Sequence, residues 1–330
     1  MPQKVTIATV ARRARVSRQT VSNVINSPQV VREETRRRVL QAIDDLGYRA
    51  SQAARLMRTG RSRLIAARIE PTRDGITGSV LDRFLHGLTE TAESAGYRVL
   101  VYTAAGADRE IAAYEALVAS YDLDGFVLTG TKHADPRVSW LAARDVAFVA
   151  FGRAWDQPDR HPWVDVDGAD GTAQATRHLI DTGHRRIGYV GWPEGSGVGD
   201  DRRAGWLAAM RDAALDTGRE RRVPDGIGEG AAALRALLDA ADPPTAVVCC
   251  SDSLALGALP VARGVDPPVA VIGFDDTPVA PAVGLSSVSQ PLAGAAACCV
   301  DLLAGLLDGR SQQAPSHVLL RPTLVLRHSG

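Results

Sequence analysis

Residues 6–26, TIATVARRARVSRQTVSNVIN, leave the chain little choice of local structure. Ile7, Val10, Ala11 and Ala14 recur at i, i+3, i+4 and i+7, so one apolar stripe runs down a first short helix. Thr6 offers an N-cap hydroxyl. The chain then turns through Arg15 and Val16, and Ser17 is placed to cap a second helix whose inner face carries Val21, Val24 and Ile25. At about 100° per residue, Arg18, Gln19, Ser22, Asn23 and Asn26 fan across the opposite face. Each can hydrogen-bond a base edge or a phosphate, and none is acidic. The pattern predicts a helix-turn-helix whose second helix enters the major groove. An ordinary amphipathic hairpin with a solvated polar face is the competing reading.

Charge favours the first reading. The chain holds 38 basic and 38 acidic residues, but they are segregated. Residues 1–63 contain 14 Lys and Arg against 4 Asp and Glu, a net of +10; the rest contains 24 against 34, a net of −10. Phosphates attract such a head, and the acidic remainder resists lying along a duplex. A third helix is predicted over 32–46, with Val39, Ile43 and Leu46 inward and Gly47 as its stop. Arg36, Arg37 and Arg38 crowd one of its turns, as a solvated face or as phosphate contacts. Residues 48–63, YRASQAARLMRTGRSR, hold about two turns of possible helix, too short to persist alone. They read as a linker that folds only against DNA and a partner copy, or as a disordered basic tether.

From Leu64 the texture changes. Short apolar runs (LIAARI, YRVLVYT, DGFVLTG, VAFVAFG, RRIGYVG, TAVVCC, VAVIGFDD) alternate with helical patterns near 80–95, 109–119, 136–143, 202–217, 231–240 and 253–263. Strands apolar on both faces between helices predict parallel sheets covered by helices, here two doubly wound lobes with a cleft between them. No apolar run approaches the roughly 20 residues that cross a bilayer, and the N-terminus lacks the apolar segment of a signal peptide. The four cysteines form two adjacent pairs, Cys249-Cys250 and Cys298-Cys299, without zinc-site spacing; buried thiols in a reducing cytoplasm are expected. Phosphate-loop, nucleophile-elbow and zinc-protease motifs are absent, so neither an enzyme nor a cofactor or metal site is expected.

The segment VSRQTVSNVIN resembles the V-S-x-x-T-V-S-x-V-(I/L)-N of the LacI/GalR family, and GYRASQAARLMRTGRS resembles its hinge. DVDGADGTAQATRHLIDTGHRRIGYVG, DDRRAGW, VIGFDD and SSVSQPLAG follow in the family's order, so the likeness spans essentially the whole chain. It implies a helix-turn-helix head (1–49), a hinge (50–62) and a body (63–330) resembling periplasmic sugar-binding proteins. The first lobe is expected at about 63–162 plus 292–320, the second at about 163–291 plus 321–330. It also implies a homodimeric regulator, a repressor, on palindromic double-stranded DNA. A small effector, most commonly a sugar and alternatively a purine or other metabolite, would occupy the cleft.

On this reading Arg18, Gln19 and Asn23 are the candidate base readers, since Arg fits guanine and Asn or Gln fits adenine. Thr6, Ser17, Thr20, Ser22 and Asn26 belong to the same DNA-contacting set, the last four as phosphate holders that fix register. Met57 resembles a minor-groove wedge, with Ala54 allowing close approach of paired hinges. Arg15 stands where the family usually has Gly, and Ala50-Ser51 where it has Pro-Asn. For the effector, strand ends and the resemblance point to Glu70, Thr129, Arg153, Trp155, Arg202, Ser251, Asp252, Asp275 and Gln290.

Overall fold

The computed structural model describes residues 5–26, 28–48, 61–69, 76, 78–156, 161–309 and 317–330. Ala54, Met57 and Glu70 lie outside them. The chain divides into two compact units, Met1–Ser62 and Arg63–Gly330.

Among the described residues the head contains three α-helices, α1 (Ile7–Ala14), α2 (Arg18–Asn26) and α3 (Glu33–Leu46), with a 3-10 turn at Pro28–Val30. Thr6 caps α1 reciprocally with Thr9, each side chain facing the other's backbone N–H. Glu33 and Glu34 sit in the first turn of α3, where the helix dipole favours them. The stripe read from the sequence is the core: Val10, Ala11, Ala14, Val21, Val24, Val39 and Ala42 are buried together. Arg13 on α1 pairs with Asp45 on α3 at 2.9 Å.

Arg15 ends α1 in the left-handed region, at φ 54° and ψ 50°. A side chain there costs about 1–2 kcal/mol, of which glycine recovers part, because it also loosens the unfolded chain by about 0.4–1 kcal/mol. Arg15→Gly is therefore expected to stabilise the head by about 0.5–1 kcal/mol. Hydrogen exchange of the buried head amides should slow roughly threefold; unchanged or faster exchange would refute the strain.

The body holds two six-stranded sheets. Lobe 1 is built from β1 (Leu64–Ile69), β2 (Arg98–Thr103), β3 (Gly125–Thr129), β4 (Phe148–Phe151) and β5 (Trp163–Val166), with α4 (Gly78–Ser94), α5 (Ala107–Ser120) and α6 (Pro136–Ala142). Lobe 2 contains α7 (Gly168–Asp181), β6 (Ile187–Gly191), α8 (Gly197–Asp212), β7 (Glu220–Arg222) and α9 (Ile227–Leu238). It continues with β8 (Ala246–Cys249), α10 (Asp252–Arg263), β9 (Ala270–Asp275), α11 (Val279–Val283) and β10 (Ser286–Ser289). The chain returns to lobe 1 for α12 (Leu292–Leu307) and β11 (His317–Leu320), then adds β12 (Thr323–Val325) to lobe 2.

The strand orders are β11-β5-β4-β3-β1-β2 and β12-β10-β9-β8-β6-β7. Pairing is parallel except at the edge strand β12, which runs antiparallel to β10. Strands β3, β6 and β8 are buried at every residue, as sheets covered on both faces require. Trp206, Tyr189 and Phe274 centre the lobe 2 core, while two clusters, one with Phe84 and one with Tyr114, make up that of lobe 1.

Two sequence expectations need correction. Trp163–Val166 was expected to open lobe 2, yet it is a strand of lobe 1, in register Ala150↔Trp163 with β4 and His317↔Trp163 with β11. Its alternate side chains serve both faces of that sheet, Trp163 packing with Phe148 and Val164 with Val149. The first crossing between lobes therefore falls at Asp167. Helix α8, expected near 202–217, starts at Gly197, because Ser196 caps it by accepting from Gly199 N at 3.2 Å. Among the described residues no helix is long and apolar enough to cross a membrane.

Candidate functional site

In each sheet the chain reverses its direction of strand addition beside the first strand, at β1/β3 in lobe 1 and β6/β8 in lobe 2. Crevices beyond the carboxyl ends of such strands are where doubly wound folds take ligands. Here the two crevices face each other across a cavity of about 940 Å³, at the upper end of the range for small-molecule sites. Lobe 1 contributes Arg68, Lys132, Phe151, Trp155 and Asp165 to its wall; lobe 2 contributes Trp192, Asp201, Arg202, Phe274 and Asp275. Gln290, at the second crossing, joins them.

Asp275 ends β9 with φ 109° and is 3% exposed. A non-glycine residue at that angle is strained, and its neighbours must hold it there. Gln290 Nε2 donates to its Oδ1 at 2.7 Å, and an Arg202 guanidinium nitrogen lies 3.2 Å from the same oxygen. Burial pushes the Asp275 carboxyl up to about 7, against the pull of Arg202. Arg202 also donates to the Cys250 carbonyl at 2.5 Å. Its guanidinium lies 3.7 Å from the Phe274 ring centroid and 5.4 Å from that of Trp192. Three buried donors in the wall, Trp155 Nε1, Trp192 Nε1 and Arg202 Nε, have no hydrogen-bond partner among the described residues. Buried donors without partners are costly, but these three atoms are sealed from solvent; what lines the cavity is aromatic surface with the charged side chains Arg68, Lys132, Asp165, Asp201, Arg202 and Asp275.

Of the effector residues expected from sequence, Trp155, Arg202, Asp275 and Gln290 come together in the wall. Thr129, Arg153, Ser251 and Asp252 do not line it. Asp252 is fully buried and consumed by Thr277 N, Thr277 Oγ1 and Ser287 Oγ, all within 2.6–2.7 Å. Ser251 caps α10 and donates to Asp225 at 2.5 Å. Thr129 is 3% exposed beneath the wall. Arg153 turns to Asp165 at 2.7 Å and Asp201 at 3.4 Å. Sequence reading missed Asp165, Asp201, Trp192 and Phe151. Trp192 lies in the Gly-rich run GWPEGSGVGDD just past the end of β6, and that strand-end position was its one signal in the sequence.

On the head, Arg18 and Gln19 are exposed at the start of α2. Gln19 Nε2 donates to Asn23 Oδ1 at 3.0 Å, so these two amides are held side by side on one face. Ser17 accepts from Thr20 N at 3.0 Å and lies 2.9 Å from the Thr20 hydroxyl, which makes it the start of the helix. Ser22 and Asn23 are half-buried on the same helix. Thr6 is exposed at the start of α1, and Asn26 closes α2.

A helix-turn-helix head and a two-lobed body with its cavity at opposed strand ends define a class: DNA-binding regulators built on a periplasmic-binding-protein fold. Comparison with known proteins narrows it. Residues 6–51 match the lacI family of bacterial regulatory proteins, and residues 176–330 match a periplasmic binding protein-like domain. The HTH-type transcriptional regulator AglR of Rhizobium meliloti (strain 1021) is 32% identical over 95% of this chain and 91% of its own length. The solved complex of the transcriptional regulator CelR with cellobiose is 29% identical, with a TM-score of 0.74 over 99% of this chain and 100% of that one. The lac repressor dimer bound to operator and the anti-inducer ONPF is 25% identical, with a TM-score of 0.84 over 99% of each chain. The chain belongs to the LacI family and is a DNA-binding transcriptional regulator.

Proposed function

We propose that the protein is a repressor that binds a palindromic operator as a homodimer in the cytoplasm and responds to a neutral sugar in the interlobe cavity. The observation that carries the sugar reading is the wall itself. Trp155, Trp192, Phe151 and Phe274 supply apolar faces, while Asp165, Asp201, Arg202 and Asp275 supply the few polar groups that suit hydroxyls. The CelR–cellobiose complex supports the same class of ligand. On DNA, Arg18, Gln19 and Asn23 read base edges, and Ser17, Thr20, Ser22 and Asn26 fix register on phosphates. The domain division read from the sequence assigns DNA to 1–49, the hinge to 50–62 and effector and dimer contacts to 63–330.

The test is a selection of bound duplexes from a random library, followed by titration of the complex with mono- and disaccharides and with nucleobases. A palindromic consensus whose affinity for the protein is changed by a sugar is the expected result. No consensus would end the repressor reading, and a response to nucleobases alone would end the sugar reading.

Asp275 adds a pH dependence to that titration. A hydroxyl donated to its carboxylate favours the ionised form, so binding below about pH 7 must expel a proton. Sugar affinity is expected to be level above pH 7 and to fall by up to about tenfold per unit below it. Asp275→Asn should flatten the profile. Calorimetry in buffers of different ionisation enthalpy counts the proton; no proton released at pH 6 would remove Asp275 from the contact.

A further inference from the structure

The segment following β4 does more than line the cavity. Arg153 Nε donates to Asp165 in its own lobe at 2.7 Å. The two terminal nitrogens of the same guanidinium reach the two carboxylate oxygens of Asp201, on α8 of the other lobe, each at 3.4 Å. Asp201 is in turn fixed within lobe 2 by the Ala169 N–H at 3.1 Å. Two residues on, the Trp155 indole lies against Gly197, the first residue of α8, and a Cβ there would clash with the ring atoms. Arg153 also covers Trp155, 4.9 Å from guanidinium to ring centroid. The segment is braced from behind: Thr131 Oγ1 donates to the Arg153 carbonyl at 3.0 Å, and Gly152 takes φ 121° where Thr131 leaves no room for a side chain. A second bond between lobes runs from Arg83 on α4 to the Asp276 carbonyl at 3.1 Å.

We propose that residues 153–155 are a clasp between the lobes, with Arg153 and Trp155 as positioning residues that tie occupancy of the cavity to lobe closure. Trp155 has one face on the opposite lobe and belongs to the cavity wall, so a guest that presses on it also presses on the closure contact. Arg153 supplies the directional part, because its planar fork engages one carboxylate from each lobe at once. Gly197 is the complementary half: only a residue without a side chain lets the indole seat on the start of α8. A ligand can shift a two-state equilibrium only through contacts that differ between the states, and on this proposal the clasp is such a contact.

The consequence for effector response rests on the cavity being the effector site, as proposed above; the clasp itself is tested without any effector. Hydrogen exchange is followed in the full-length protein and in Gly197→Ala, Asp201→Asn and the double variant Gly197→Ala/Trp155→Ala. Gly197→Ala, a change in lobe 2, is expected to speed exchange at 153–156 in lobe 1 about tenfold, and Asp201→Asn about threefold. The double variant removes the same contact from both sides, so 153–156 should exchange within about threefold of Gly197→Ala alone. Parental exchange at 153–156 in both single variants would overturn the clasp. So would a double variant much faster than Gly197→Ala, since the two changes would then act independently rather than on one shared contact. None of these outcomes depends on which solute the cavity takes, so failure of the clasp and failure of the sugar reading are separate results.

Discussion

Arg202→Ala is expected to abolish the response to effector while leaving DNA binding without effector intact. Arg202 is 6% exposed, and its guanidinium serves three groups at once: the Cys250 carbonyl, the Asp275 carboxyl and the Phe274 ring. Losing a hydrogen bond from a charged group costs about 1.5–3 kcal/mol, equivalent to a loss of sugar affinity of roughly 10-fold to 150-fold. Part of that loss arises in Asp275, whose carboxyl already titrates high against the pull of Arg202 and would rise further without it. Arg202→Met keeps an apolar stem over Phe274 and separates lost packing from lost charge; it should bind sugar as poorly as the alanine variant. Arg202→Lys should rescue little, because one ammonium cannot span the same three partners. Calorimetric titration reads the affinity and operator release reads the response. An Arg202→Ala protein that binds within about threefold of the parent would place the ligand elsewhere.

What could be read from the sequence was local. The stripe of Ile7, Val10, Ala11 and Ala14 and the hydroxyls of Thr6 and Ser17 act within one or two turns, so helix periodicity and capping chemistry specify them directly. Buried strands such as Ile187–Gly191 are equally plain, because unbroken apolar runs have few other uses. The strand Trp163–Val166 was harder: at four residues it carries too little pattern to say which sheet it joins, and only its pairing with Phe148–Phe151 and His317–Leu320 decides. The strand-end rule located the cavity but not which carboxylates face it. Asp252 and Asp275 both sit at strand ends, yet Thr277 and Ser287 satisfy the first completely and leave nothing for a ligand. Asp165 and Asp201 meet on Arg153 only because two lobes come together there. No spacing within either segment encodes that meeting.

Val21→Asp is expected to remove duplex binding altogether and to leave the body untouched. Val21 is 0% exposed and packs among Val10, Val24 and Val39 in a core of seven small side chains. A carboxylate placed there has no cation within the cluster, and burying an unpaired polar or charged group costs several kcal/mol even when it takes up a proton to escape its charge. A unit of this size has only about 3–9 kcal/mol of stability to lose, so the head unfolds and its recognition face disperses. Gln19→Ala is the contrasting change. It removes an exposed amide from the same helix without touching the core, and should cost about 1–3 kcal/mol at one base position. The two variants separate having a folded head from having the right reader. In Val21→Asp, mobility shift with the selected duplex should show no complex, while the thermal transition of the body and its sugar affinity stay at parental values. In Gln19→Ala the complex should persist with relaxed preference at one step. Duplex binding that survives Val21→Asp would mean that the cationic head does not grip DNA through a folded helix pair.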